Sequence, residues 1–257
     1  MDGLQKAIKL TKKYAGKYGQ ILNNDQLFLR LISPKKYRYS DFLGQKKIGV
    51  SNKVWQQKVL LATDLVVKHL SKMKGIKMVG ITGTVAAEAA KKNEDIDLLI
   101  ITDEAELWWW RLYLRFYVWC HGIPHRKFGE KEKSDEYCFN LWLDTANLEI
   151  PRSKQNLKNA TDLIMMKVIW DKDGSYVKFL GKNQWVKKFL ATGYKERIKI
   201  SREVDKEVNR RKNKKNNFVK KIVNNILFWG QYAYMWSKTG NDLKNIRSGQ
   251  AFFHKNN

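Results

Sequence analysis

The chain is poor in cysteine and proline: 257 residues contain two Cys, Cys120 and Cys138, and three Pro. Two cysteines cannot build the disulfide framework of a small secreted domain, and they suit a reducing compartment, so the chain reads as cytoplasmic. With so few prolines and no sustained heptads, collagen and coiled-coil rods are excluded. Long apolar runs are missing as well. The most aromatic stretch, Leu107 to Cys120, is interrupted by Arg111 and Arg115. No run approaches the ~20 residues of a spanning helix. The opening residues, MDGLQKAIKLTKKYAGKYG, lack the uninterrupted apolar centre of a secretory signal.

Acidic residues are also scarce. Asp and Glu number 25 against 50 Lys and Arg, a formal net charge of +25. That balance suits a polyanionic partner: RNA, DNA or an anionic membrane surface. A solvated basic surface, from a composition rich in Lys, Asn and Ile, accounts for the charge without any partner. Apolar residues are plentiful, at 43% of the chain with 12% aromatic, so a folded core is expected.

Hydropathy patterning divides the chain into an N-terminal helical and basic extension (1–50), a core (51–150), a helical support region (151–194) and a basic linker with a final helix (195–257). A helix is expected over 51–73. Strands follow over 77–82, 95–101 and 137–143, with a short small-residue helix and an aromatic helix, 105–121, between them. Two more helices are expected over about 156–170 and 174–190. Residues 195–221 carry twelve Lys or Arg against four acidic residues. Their centre, Arg210, Arg211, Lys212, Lys214 and Lys215, reads as the electrostatic handhold for nucleic acid. The last residues, around Ala251-Phe252-Phe253, read as an apolar tail that docks on the body. Cys120, His121, His125 and Cys138 do not have zinc-finger spacing.

The strongest signal is Gly83-Thr84, ten residues, then Asp95-Ile96-Asp97. Strand alternation puts Asp95 and Asp97 on one face with Ile96 opposite. Two ionised carboxylates so close repel each other and are costly to desolvate; a divalent cation resolves both problems. Mg²⁺ favours a few carboxylates plus phosphate oxygens. Gly83-Thr84, at a strand end before a helix, sits where backbone N–H groups can hold phosphate.

These residues, VGITGT over 79–84 and DIDLLIIT over 95–102, resemble the signature of the nucleotidyltransferase superfamily with the polymerase-beta-like fold, and in particular minimal bacterial nucleotidyltransferase-domain proteins. The resemblance implies an α+β fold: a small mixed sheet flanked by helices. It implies Mg²⁺ or Mn²⁺ held by Asp95 and Asp97, and an NTP held by Gly83 and Thr84, with Thr where Ser is usual. It also implies transfer of a nucleoside monophosphate to a hydroxyl acceptor. Glu88 stands where such proteins often carry glycine. The third carboxylate of the family falls at Asn140, within Phe139-Asn140-Leu141. Asp144 and Glu136 share its strand parity and are the candidate substitutes. Lys167, expected on a helix, is a candidate for the triphosphate. The charge points to RNA as acceptor, tRNA or another structured RNA. The alternatives are an inactive RNA-binding module on the same fold, or a transferase acting on a small molecule or protein.

Overall fold

The computed structural model describes residues 3–42, 53–127, 130–208, 218–239, 243 and 246–253. In chain order its helices and strands are α1 (Gly3–Gly16), α2 (Asn24–Leu29), α3 (Val54–Lys68), β1 (Ile76–Ile81), α4 (Gly83–Ala86), β2 (Ile96–Thr102), α5 (Leu107–Cys120), β3 (Tyr137–Asp144), α6 (Leu157–Met165), β4 (Lys167–Asp171), α7 (Ser175–Lys182), α8 (Lys187–Val208), α9 (Phe218–Thr239), β5 (Ile246–Arg247) and β6 (Gln250–Phe252). The fold is α+β, as expected. One six-stranded mixed sheet, in the order β4-β1-β2-β3-β6-β5, lies between two sets of helices. β2 and β3 are parallel, and the other neighbours are antiparallel.

Alternation along the strands builds two cores. Leu98 and Ile100 of β2, with Val79, Ile81 and Trp142, face α3, α5 and α9. Leu99 and Ile101, with Met78 and Leu143, face α6, α7 and α8. A third, smaller core forms where α1 and α2 meet Leu31 and Phe42. This N-terminal unit is tied to α8, which breaks from helical geometry at Leu190. The break frees backbone groups that Ser33 takes up: its N–H donates to Phe189 O (2.8 Å) and its carbonyl accepts from Ala191 N–H (3.0 Å).

Three stretches differ from expectation. The helix expected over about 174–190 is divided between α7 and α8, with a 3₁₀ turn at Gln184–Val186 between them, and α8 continues to Val208. The helix expected over 156–170 ends at Met165, and Lys167–Asp171 is instead the edge strand β4, paired with β1. The alternating Val168 and Trp170 beside Ile169 suit an edge strand better than a helix end. The C-terminal tail does dock, as strands: β6 adds to β3 through Leu141↔Phe252 and Leu143↔Gln250. The handhold residues Arg210, Arg211, Lys212, Lys214 and Lys215 lie outside the described residues.

Candidate metal and phosphate site

β1 and β2 bring the two halves of the motif together. Ile81 pairs with Leu98, and the next residue, Thr82, donates its N–H to Asp97 O at 2.9 Å. The chain then turns sharply through Gly83, whose φ of +65° is left-handed. An ideal Cβ there would lie 2.5 Å from Asp97 Oδ2, so both conformation and space require glycine. Lys58 of α3 fixes the opposite approach. Its buried ammonium donates to Glu94 O (2.6 Å) and Asp135 Oδ1 (2.6 Å), pinning the turn that leads into Asp95.

Asp95 and Asp97 do share one side of the sheet, and a third ligand type joins them. The ligand atoms of Asp95, Asp97 and Cys138 all lie within 4.8 Å of one another. Cys138 gets there because β2 and β3 are parallel and pair Asp97 with Cys138. Asp95 is buried and accepts from Arg126 Nη1 at 3.0 Å. Arg126 also reaches Glu132 Oε1 at 3.4 Å. Burial disfavours the Arg126 charge, but the bond to Asp95 and the nearby acidic groups outweigh it and hold its pKa above the ordinary value.

Asp97 carries a strongly perturbed carboxyl. Burial first, then the charges of Asp95 and Glu132, push its pKa up to about 7; Arg126 and Asn140 act against that rise. Burial and the two aspartates push the Cys138 thiol up as well, so it stays protonated and neutral. The two carboxylate oxygens suit a hard divalent ion, and Cys138 Sγ lies beside them. To take an ion between both carboxylates, Asp95 must give up or share Arg126.

Asn140 donates from Nδ2 to Asp97 Oδ1 at 2.5 Å, so the residue at the third-carboxylate position does reach the site. A β-bulge makes this happen. Asp97 pairs with Cys138 but Leu99 pairs with Leu141, so Phe139 and Asn140 together oppose Leu98 alone. Asp144 does not reach the site, because it lies four residues, about 13 Å, further along β3 than Asn140. Beyond the bulge, strict parity is lost, and Trp142 turns to the α3/α5 core. Asp144 pairs with Thr102 at the other end of the strand. There its carboxylate accepts from the backbone of Ala146 and Asn147 (both 3.0 Å) and holds a turn. Glu136, offered as a second substitute, lies 3.5 Å from Lys133 Nζ through Oε1 and is not part of the three-residue group.

The expected phosphate-holding residues have partners of their own. Thr84 Oγ1 donates to Glu94 Oε2 at 2.7 Å. Lys167, on β4 and not on a helix, donates to Glu88 Oε1 at 2.6 Å; Glu88 also accepts from Gln26 Nε2 at 2.8 Å. The Lys167 ammonium lies 4.6 Å from the Trp55 ring centroid. Lys167 therefore neutralises Glu88, the two residues that the sequence treats separately.

A cleft of about 340 Å³ opens beside Thr82, Gly83, Thr84 and Asp97. Leu99, Leu141 and Phe252 contribute apolar walls, and Arg30, Lys154 and Lys158 bring positive charge. None of these cations, nor Arg126, is marked by the local motif, because each arrives from a distant segment. The zinc-type residues separate: Cys120 is exposed, while Cys138 joins the aspartates. Comparisons with protein-family models, with curated proteins and with solved structures returned no match to this chain.

Proposed function

We propose that the protein is a nucleotidyltransferase that uses Mg²⁺ or Mn²⁺ to transfer a nucleoside monophosphate from an NTP to a hydroxyl acceptor, with RNA as the acceptor. The observation that carries this reading is the closure of the Gly83 turn directly onto Asp97, beside the desolvated Asp95–Asp97 pair. Asp95 and Asp97 would hold the metal, which when bound neutralises charge on the phosphates and on the attacking and leaving oxygens.

In this reading the glycine turn lets backbone N–H groups approach the phosphates without a side chain intervening. The apolar cleft walls keep water away from the reacting face, and Arg30, Lys154 and Lys158 add positive charge for an anionic substrate. The acceptor oxygen bonds to the α-phosphorus as the bond to the pyrophosphate oxygen breaks. Asn140 cannot take the hydroxyl proton at neutral pH, so that proton passes to water; Asn140 instead orients Asp97. With a net charge of +25, RNA affinity falls steeply with salt through counterion release.

A second reading is favoured by two contacts: Arg126 on Asp95 and Asn140 on Asp97. Together they supply a cation and a donor to the pair, as expected of a fold that binds RNA without turnover. The deciding experiment incubates the protein with Mg²⁺ or Mn²⁺, each labelled NTP and cellular RNA, beside an Asp95→Ala/Asp97→Ala control. Label that enters RNA only with the wild type supports transfer. RNA binding without label under any NTP replaces it with the binding module. Salt-insensitive labelling of a small hydroxyl compound without RNA moves the acceptor away from nucleic acid.

A further inference from the structure

Of the chain's ten tryptophans, four are exposed: Trp109, Trp119, Trp229 and Trp236. All four lie on α5 and α9. The two helices pack against each other. Trp108 N–H donates to Asn224 Oδ1 at 2.9 Å, its carbonyl accepts from Gln231 Nε2 at 2.8 Å, and Arg111 Nη1 donates to Gln231 Oε1 at 2.5 Å. α5 packs on β2 and β3 as well as on this seam, and α9 buries Phe228 and Met235 in the same core.

Each also carries an apolar stripe facing solvent. On α5 it is Trp109, Leu112, Phe116 and Trp119; on α9 it is Ile222, Ile226, Trp229 and Trp236. The spacings of three, four and seven residues keep each set on one helical face. Trp119 is 70% exposed and Trp229 64%, so these are not core residues. Apolar stripes of this size on two adjacent helices mark an interface.

Charge and side-chain type select the occupant. A second copy would bring +25 against +25, which repels. RNA could stack on the tryptophans, but Leu112, Ile222 and Ile226 offer it neither an aromatic face nor a hydrogen bond. A bilayer uses all of them: aliphatic and phenyl groups enter the acyl boundary and indoles sit at headgroup depth. Neither helix is long and apolar enough to span, so both would lie in the interface plane. Anionic headgroups complement Lys238, at the end of α9, and the net charge of +25. We propose that the α5–α9 face docks flat on an anionic phospholipid bilayer. This inference does not depend on the transfer reaction.

The test floats the full-length protein with vesicles made of equal parts phosphatidylcholine and phosphatidylglycerol, and with phosphatidylcholine alone. The comparison variant is Trp119→Ser/Trp229→Ser, whose circular dichroism and melting should match the wild type because both side chains are exposed. Wild type should float with the anionic vesicles only. Its tryptophan emission should shift to the blue and be quenched by brominated acyl chains. The variant should bind about tenfold more weakly or worse, and Asp95→Ala/Asp97→Ala should float like the wild type. Absence of flotation on anionic vesicles overturns the proposal. So does flotation that the Trp variant leaves unchanged, which would reduce it to bulk charge. A dimer in sedimentation that the Trp variant dissolves would assign the face to a second copy, and an RNA shift lost in that variant without any vesicle binding would assign it to RNA.

Discussion

Asp97 leaves no room for a side chain at residue 83: its Oδ2 lies 2.5 Å from where a Gly83 Cβ would stand. Gly83 also has a left-handed φ of +65°. Gly83→Ala should therefore destabilise the protein through two separable effects, backbone strain and collision, by about 1–3 kcal/mol in total. Asp97→Ala removes the colliding carboxylate and leaves the strain. In a double-mutant cycle by urea unfolding, Gly83→Ala should cost less in the Asp97→Ala background than in the wild type. Equal costs in both backgrounds would mean that the two residues do not meet.

The perturbed Asp97 makes stability depend on pH in a defined direction. Its pKa is about 7 in the folded protein against an ordinary value of 3.8. Between those values the folded state keeps a proton that the unfolded chain has released. The stability this provides is full below about 4 and is lost as pH rises through about 7. Asp97→Asn should flatten that part of the curve. Asp162, pushed up to about 6 chiefly by burial, adds a slope of the same sign that survives the substitution. If Asp97 holds a cation, Mn²⁺ affinity should climb as pH rises toward about 7 and level off above it, since proton and metal compete for one carboxylate. Titrations by calorimetry at successive pH values read this directly.

Glu88 and Lys167 should act as a pair. Their charges meet at 2.6 Å near the glycine turn. If the lysine is needed by a triphosphate, Glu88 competes for it. Glu88→Gln should then tighten NTP binding several-fold, and Lys167→Met should weaken it. The single variants should each lose stability by about 1–3 kcal/mol, with the double variant recovering part of the loss. Fluorescent-nucleotide binding and melting curves check both halves. An unchanged nucleotide affinity in Lys167→Met would confine the lysine to neutralising Glu88.

The parts of the site visible in the sequence are those that one strand, or one strand and its turn, can set. Gly83, Asp95 and Asp97 follow from period-2 alternation and from a glycine at a strand end. The α+β alternation over the core was equally legible. Positions that depend on pairing between distant strands were not. Cys138 enters through the parallel register with Asp97, and Arg126 through the return of its loop onto Asp95. Asp144 illustrates the reverse case: parity with Asn140 fixes only a face of the sheet, and four residues of strand carry Asp144 to a turn at the far end of β3. Lys167 lies on a strand for a local reason: the helical period of 157–165 does not extend past Met166, and Val168, Ile169 and Trp170 have strand character.

Asn140→Asp tests whether the site is short of a carboxylate. The side chain now donates to Asp97 Oδ1. Replacing that donor by a third acid exchanges a hydrogen bond for repulsion among Asp95, Asp97 and residue 140, so the metal-free protein should lose about 1–3 kcal/mol of stability. A divalent cation reverses the balance, because each added carboxylate is a further hard ligand. Mn²⁺ should therefore raise the melting temperature of Asn140→Asp by more than it raises that of the wild type, and its affinity should be higher. Any nucleotidyl transfer should rise with it. A variant that melts lower and gains nothing from Mn²⁺ would show that residue 140 serves only to hold Asp97 in place.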